Sequence, residues 1–233
     1  MQSTKGKIFM KRFLFLLLVM TCLAPRVHAE DANDLVEDAE FIIKTLLEDS
    51  RQGVFRSMLA EAYGVLIIPS YVKAGLVWGG AGGTGVLLSH DREKGEWSAP
   101  VFYSLASASV GLQIGVSSSE VVMVIMNQRG LRAMMNNKVK LGADLSVAAG
   151  PVGMRGETAT SGNLVADIYS YARSRGLFAG VSLEGGIVRL NNTHNKKYYQ
   201  DDFNAEQILL KHQSAAKYAP SLRAVLARAG KSD

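Results

Sequence analysis

Between Tyr63 and about Tyr199, glycine sits inside the apolar runs of this chain rather than between them, and that placement constrains the fold most. Residues 64–68, 75–88, 97–105, 111–116 and 121–126 are rich in Val, Ile, Leu and aromatic residues, with turn-forming residues between them. That is the signature of short strands. Runs at 139–149, 168–173, 177–183 and 187–190 continue the series. Glycine within strands marks bulges and tight bends, so the sheet is expected to curve. Residues 121–126 are apolar at every position, as in a strand covered on both faces. His90 to Gly95 reads as a polar hairpin loop. A faint echo, G-L-x-x-G-V-S at 111–117 and again at 176–182, fits a repeated sheet unit.

Helical spacing frames the sheet. Leu35, Ala39, Ile42, Ile43, Leu46 and Leu47 recur at steps of three and four, the period of an amphipathic helix, and Asp34 or an earlier Asp or Asn can cap it. A second short helix is expected after Gly53, one over 127–137, and two in the tail at 205–212 and 221–229. The expected fold class is α+β: a single Gly-rich, mainly antiparallel curved β-sheet domain flanked by short helices. Residues 30–50 form an acidic amphipathic helix, 54–199 the core and 200–233 a helical tail.

The N-terminus reads as a signal peptide over residues 1–29. Lys5, Lys7, Lys11 and Arg12 precede a short apolar run from Phe13 to Met20, and Val27-His28-Ala29 ends it in an A-x-A-like site. The run falls short of the ~20 residues a membrane-spanning helix needs. Cleavage would leave residues 30–233, exported and periplasmic or outer-membrane-associated in a Gram-negative cell. Met20 and Thr21 fit poorly before an acylated Cys22, so a lipoprotein ranks below simple cleavage.

The leader carries five of the 26 Lys and Arg and none of the 21 Asp and Glu, so the remainder is electrically neutral. A nucleic-acid partner argued from the basic pI therefore fails. The chain's single cysteine, Cys22, also leaves with the leader, and about 200 residues can bury a core without disulfides. Neutrality hides segregation: residues 30–50 hold eight acidic groups and one lysine, while everything from Arg51 onward has 20 basic and 13 acidic groups.

The chemical motifs are incomplete. Gly80-Ala81-Gly82-Gly83-Thr84-Gly85 spells G-x-G-x-x-G, but a dinucleotide site needs a helix to open there, and Val86-Leu87-Leu88 continues as strand. Ser70 and Ser214 each begin S-x-x-K without the companion elements of a serine acylase, and Ser70 follows Pro69 in an expected turn. His90, His194 and His212 lack metal-ligand spacing and read as solvated surface residues. Asn191-Asn192-Thr193 matches a glycosylation sequon, and Asp201-Asp202 reads as a solvated turn. No catalytic residue, metal ligand or cofactor is assigned, and the chain is read as a non-enzyme.

Basic residues interleaved with aromatic ones carry the binding hypothesis. Strand alternation puts Tyr169, Tyr171, Arg173 and Arg175 on one face, either an ordinary exposed sheet face or one where rings beside guanidiniums suit a lipid headgroup or another anionic surface. Lys196 and Lys197, next to Tyr198-Tyr199, repeat the pairing, and Lys73 precedes the Gly-rich strand. Four such cations would contribute ~4 kcal/mol at an anionic membrane, a millimolar affinity. Apolar or aromatic insertion, or several copies, must supply the rest.

The stretch from Tyr71 to Leu76, Trp97-Ser98-Ala99-Pro100, the segment from Gly111 to Gly115, Gly150-Pro151-Val152-Gly153 and the segment from Tyr169 to Gly185 resemble the SYLF-domain family, also described as the Ysc-type actin-binding domain. The likeness runs in order from about Val54 to Tyr199. It implies a non-enzymatic module that binds membrane lipids, phosphoinositides in eukaryotic members, with actin binding in some fungal ones. The leader argues against actin as a partner here. In eukaryotic members a basic amphipathic helix at the domain's N-terminus is held to bind lipid, whereas residues 30–50 here are acidic. The leading expectation is a phospholipid-binding or phosphoinositide-type membrane protein of the cell envelope, bound to anionic phospholipid. The alternative is a periplasmic scaffold that holds an envelope protein partner through the acidic helix.

Overall fold

The computed structural model describes residues 31–75, 78–110, 115–152, 166–174, 176–200, 204–212 and 217–229. The chain divides into two compact units, 1–30 and 31–233, and every described residue belongs to the second. The expected leader, Cys22, Arg175, Asp201-Asp202 and Ser214 lie outside the described residues.

Ten strands build one curled, mostly antiparallel sheet, a half-barrel. They are β1 (Gly64–Gly75), β2 (Trp78–Asp91), β3 (Glu96–Trp97), β4 (Val101–Val110), β5 (Gly115–Ile125), β6 (Lys138–Lys140), β7 (Val147–Ala149), β8 (Ile168–Ser174), β9 (Leu177–Gly180) and β10 (Ile187–Leu190). The order across the sheet is β6-β10-β4-β2-β1-β5-β8-β7, with β3 added to β2 and β9 to β8. Among the described strands, only β7 and β8 pair in parallel.

Strand alternation feeds two cores, one on each side of this sheet. Leu66 and Ile68 of β1, with Val121, Met123 and Ile125 of β5, face one side, where α3 (Gln128–Met134) and α5 (Ala205–Lys211) cover them. Val65, Ile67, Val122 and Val124 face the other, against α1 (Ala32–Glu48), α2 (Gly53–Glu61) and α6 (Pro220–Leu226). The uniformly apolar run in β5 is therefore a central strand covered on both faces, as its composition requires. Each side chain buried there contributes ~1.5–3 kcal/mol. The stripe Leu35, Ala39, Ile42, Ile43 and Leu46 is the buried face of α1, and Asp31 caps that helix by accepting the Asn33 N–H.

Three local departures from the sequence pattern have physical causes. The expected strand over 75–88 is two strands: β1 runs on to Gly75, and Trp78 opens β2. The expected turn at Ser70 is instead a bulge inside β1, where the register slips between Ile68 and Tyr71. Pro69 has no N–H to give a ladder, so it is at home there. Glycine receives the bulge on β2, since a Cβ at Gly85 would lie 2.0 Å from the Ile67 carbonyl oxygen and one at Gly83 2.4 Å from that of Ser70. The third departure is α4 (Asn192–Tyr199), which follows the last expected strand where no helix was expected. Asn191 caps it, and the buried Asn195 amide accepts the Phe102 N–H at 2.8 Å and donates to the Phe102 carbonyl at 3.0 Å. That side chain pairs with β4 as a neighbouring strand would.

Candidate functional site

Much of what looked distinctive in the sequence is packing. Trp97-Ser98-Ala99-Pro100 is a landing platform for the C-terminal helices: the Trp97 carbonyl accepts Arg223 Nε at 2.7 Å, and the Pro100 carbonyl accepts the Tyr199 hydroxyl. Gly150 lies under the Tyr171 ring, where a Cβ would come within 2.1 Å. Gly80 to Gly85 is strand throughout, so no helix opens onto a phosphate site. Asn191 of the sequon is a helix cap whose amide donates to Ser104 Oγ.

The histidines are not the solvated residues that spacing suggested. His90 is half-buried, stacked on Trp97 at 4.5 Å, with Nδ1 bonded to the Ala62 carbonyl at 3.1 Å. His212 bonds through Nε2 to Ser89 Oγ at 3.3 Å. Burial lowers the pKa of both rings. Both line a pocket of about 490 Å³ with Tyr63, Asp91, Arg92 and Leu209. The Ser89 hydroxyl spends its proton on the Leu209 carbonyl, so His212 can only donate to it. The pair is a latch for the tail, with the polarity opposite to that of a serine nucleophile and its base. Ser70 Oγ meets Ser118 Oγ at 3.3 Å.

Tyr169, Tyr171 and Arg173 do share one face of β8, as alternation requires, and that face is turned toward α1 and α2. Tyr171 is fully buried, stacked on Phe178 at 4.8 Å and edge-on to Phe55 at 5.4 Å, and burial raises its pKa. Tyr169 is half-buried against the same cluster. Arg173 is held by Glu120 across the β5–β8 pair through two hydrogen bonds, the second 2.7 Å long, and those bonds raise its pKa. Lys73 is exposed near the far end of β1, with Nζ 5.8 Å from the Tyr71 ring centre. Lys196 and Lys197 are exposed on α4, while Tyr198 and Tyr199 turn inward against Phe102 and Tyr218.

The sheet also assembles cations that sequence reading missed. Lys138 of β6 lies directly across from Arg189 of β10, and Lys140 is one pleat further along the same exposed face. Between them, Val139 and Val188 turn into the core. Like charges directly opposite destabilise a sheet, and among the described residues none of the three has an ion pair. Lysine also blunts an edge strand against unwanted pairing. Two carboxylates stand nearby: Asp144 accepts the Lys140 N–H at 2.7 Å, and the Glu184 side chain lies beside Gly142. Lys-Val-Lys alternation was the available signal, but nothing local paired it with Arg189.

Residues 106–229 match the Ysc84 family, described as "Las17-binding protein actin regulator". This chain belongs to the Ysc84 family. It is 37% identical over 154 residues to SH3 domain-containing YSC84-like protein 1 of Xenopus laevis, covering 65% of this chain and 45% of that protein. The human protein of the same name is 35% identical over 153 residues, covering 65% of this chain and 44% of its own length. LAS seventeen-binding protein 3 of Saccharomyces cerevisiae is 33% identical over 174 residues, 73% of this chain and 38% of that one. The chain thus spans less than half the length of these relatives. The family match begins within β4 and takes in Lys138, Lys140, Arg189, Lys196 and Lys197.

Proposed function

We propose that this Ysc84-family chain is a non-enzymatic, exported protein that docks on anionic phospholipid membranes of the cell envelope. The observation that carries the reading is the exposed set Lys138, Lys140 and Arg189, juxtaposed across two strands with none of the three in an ion pair among the described residues, although Asp144 and Glu184 stand nearby. Lys196 and Lys197 on α4 and Lys73 on β1 add exposed cations. Arg173 contributes less, because Glu120 neutralises it. At ~1 kcal/mol per cation, these six would supply ~6 kcal/mol, weak and salt-sensitive binding on the affinity scale.

Lys138→Glu with Lys140→Glu and Arg189→Glu tests the assignment by flotation with phosphatidylglycerol-containing vesicles. Loss of flotation with an unchanged unfolding midpoint supports it, and unchanged flotation removes it. A second reading, a protein partner on the acidic helix, is supported by Phe41. This ring is 63% exposed on the outward face of α1 beside Asp34, Glu37 and Asp38. The family description of a Las17-binding protein favours a protein partner too. Phe41→Ser with Glu37→Lys would abolish such a complex and spare vesicle binding.

A further inference from the structure

Four neighbouring strands, β4-β2-β1-β5, continue past the packed core as an extension, with the antiparallel β1–β2 pair at its centre and β4 and β5 on its outer sides. Residues 70–83 and 104–119, thirty in all, contain one charged side chain, Lys73. The pairing stays regular to the end, through Gly75↔Gly79, Gly75↔Gly115 and Trp78↔Val110. Small residues make the surface flat: Ala106, Ala108, Gly80, Val72, Ala74, Val116 and Ser118 are exposed on one face, and Lys73, Gly115 and Ser117 on the other. Val116 is 77% exposed and Val72 40%.

Resting on the membrane reading above, we infer that this uncharged extension is the part that enters the bilayer, with Lys140 and Lys73 at the level of the lipid phosphates. The strand register supplies the level. Lys140, Ile187, Ala106, Gly82, Val72 and Ser118 form one row across the sheet, and Lys73 is the next residue beyond it. Two cations, Lys140 and Lys73, therefore stand at the base of the extension, and carboxylates are absent from the four strands beyond that row among the described residues. Three more residues, from Val72 to Gly75, project about 10 Å at the strand rise of ~3.3 Å per residue. That matches the depth to which interfacial elements settle.

The outer edges fix the depth as shallow. Past Ala106 on β4 and before Glu120 on β5, no outer partner strand is present among the described residues. Unpaired backbone groups cannot enter hydrocarbon, and Ser107, Ser117 and Ser119 suit the interface. Exposure on both faces selects a surrounding medium over a second copy or a folded partner, either of which would cover one face.

The chain from Asp31 onward holds both cores, so it serves for the test. Its two tryptophans are Trp97, 2% exposed in the core, and Trp78 at the start of β2. Fluorescence is read with phosphatidylcholine–phosphatidylglycerol vesicles whose acyl chains carry bromine at shallow or deep positions, alongside flotation. The inference expects quenching by the shallow bromines and at least tenfold weaker flotation for Val116→Asp and for Val72→Asp, with unchanged unfolding midpoints. Flotation of the unaltered chain without quenching, and equally of both variants, overturns the insertion and leaves the membrane reading standing. Failure of the unaltered chain to float with any vesicle overturns both.

Discussion

β1 and β5 each have two halves that obey different rules. From Gly64 to Ile68 and from Val121 to Ile125 every residue is buried, alternating between two cores. From Val72 to Ala74 and from Gly115 to Ser118 every residue is exposed, although the same ladder of hydrogen bonds runs on. The bulge at Pro69-Ser70 stands at the boundary. Backbone pairing alone thus keeps the strand, and side-chain burial decides which half stabilises the fold. The distal half, freed from packing, is where binding can be placed at little cost in stability.

That division can be broken most forcefully in the packed half. Met123→Ala removes a side chain with no exposure and should cost ~2–5 kcal/mol, whereas Val116→Ala should fall within ~0.5 kcal/mol; urea unfolding measures both. The glycines of β2 sharpen the contrast within one strand. Gly85→Ala drives a Cβ into the Ile67 carbonyl, while a Cβ at Gly80 meets only Ser107 O at 3.9 Å. The first should destabilise by ~1–3 kcal/mol or more, and the second should be neutral in the same assay.

At the boundary, Glu120→Gln leaves the guanidinium of Arg173, 17% exposed, with a weaker acceptor. A loss of about 1–2 kcal/mol is expected, below that of a fully buried broken pair.

The smallest effect is a pH dependence far from the extension. Burial lowers the folded pKa of His90 and His212 below the ordinary value of 6.5, with Asp91, Arg92, Lys94, Glu96 and Arg223 also acting on them. The unfolded chain therefore binds more protons in that window. Their contribution is complete above pH ~6.5 and is lost as pH falls through the depressed folded values. The urea midpoint should drop between pH 7.5 and 5, and His212→Gln should flatten that drop.

Periodicity and composition made the sheet legible. The uniform apolar run in β5 announced double coverage, and the stripe in α1 its buried face. Alternation correctly grouped Tyr169, Tyr171 and Arg173, but it cannot say which face a distant helix will cover. Phe55 of α2, more than a hundred residues away, buries Tyr171. The juxtaposition of Lys138 and Arg189 was equally hidden, because it arises from pairing two strands about fifty residues apart. Helix α4 escaped because Asn195 takes the place of a strand partner through its side chain, which no periodicity records.

Hydrogen exchange of the chain from Asp31 onward, with and without phosphatidylglycerol vesicles, addresses the division of the strands most directly. The account predicts new protection confined to the distal halves of β1, β2, β4 and β5 and to the β6–β10 edge, with the core halves unchanged. Protection centred on α1, or none in the distal halves while the protein is vesicle-bound, would contradict it.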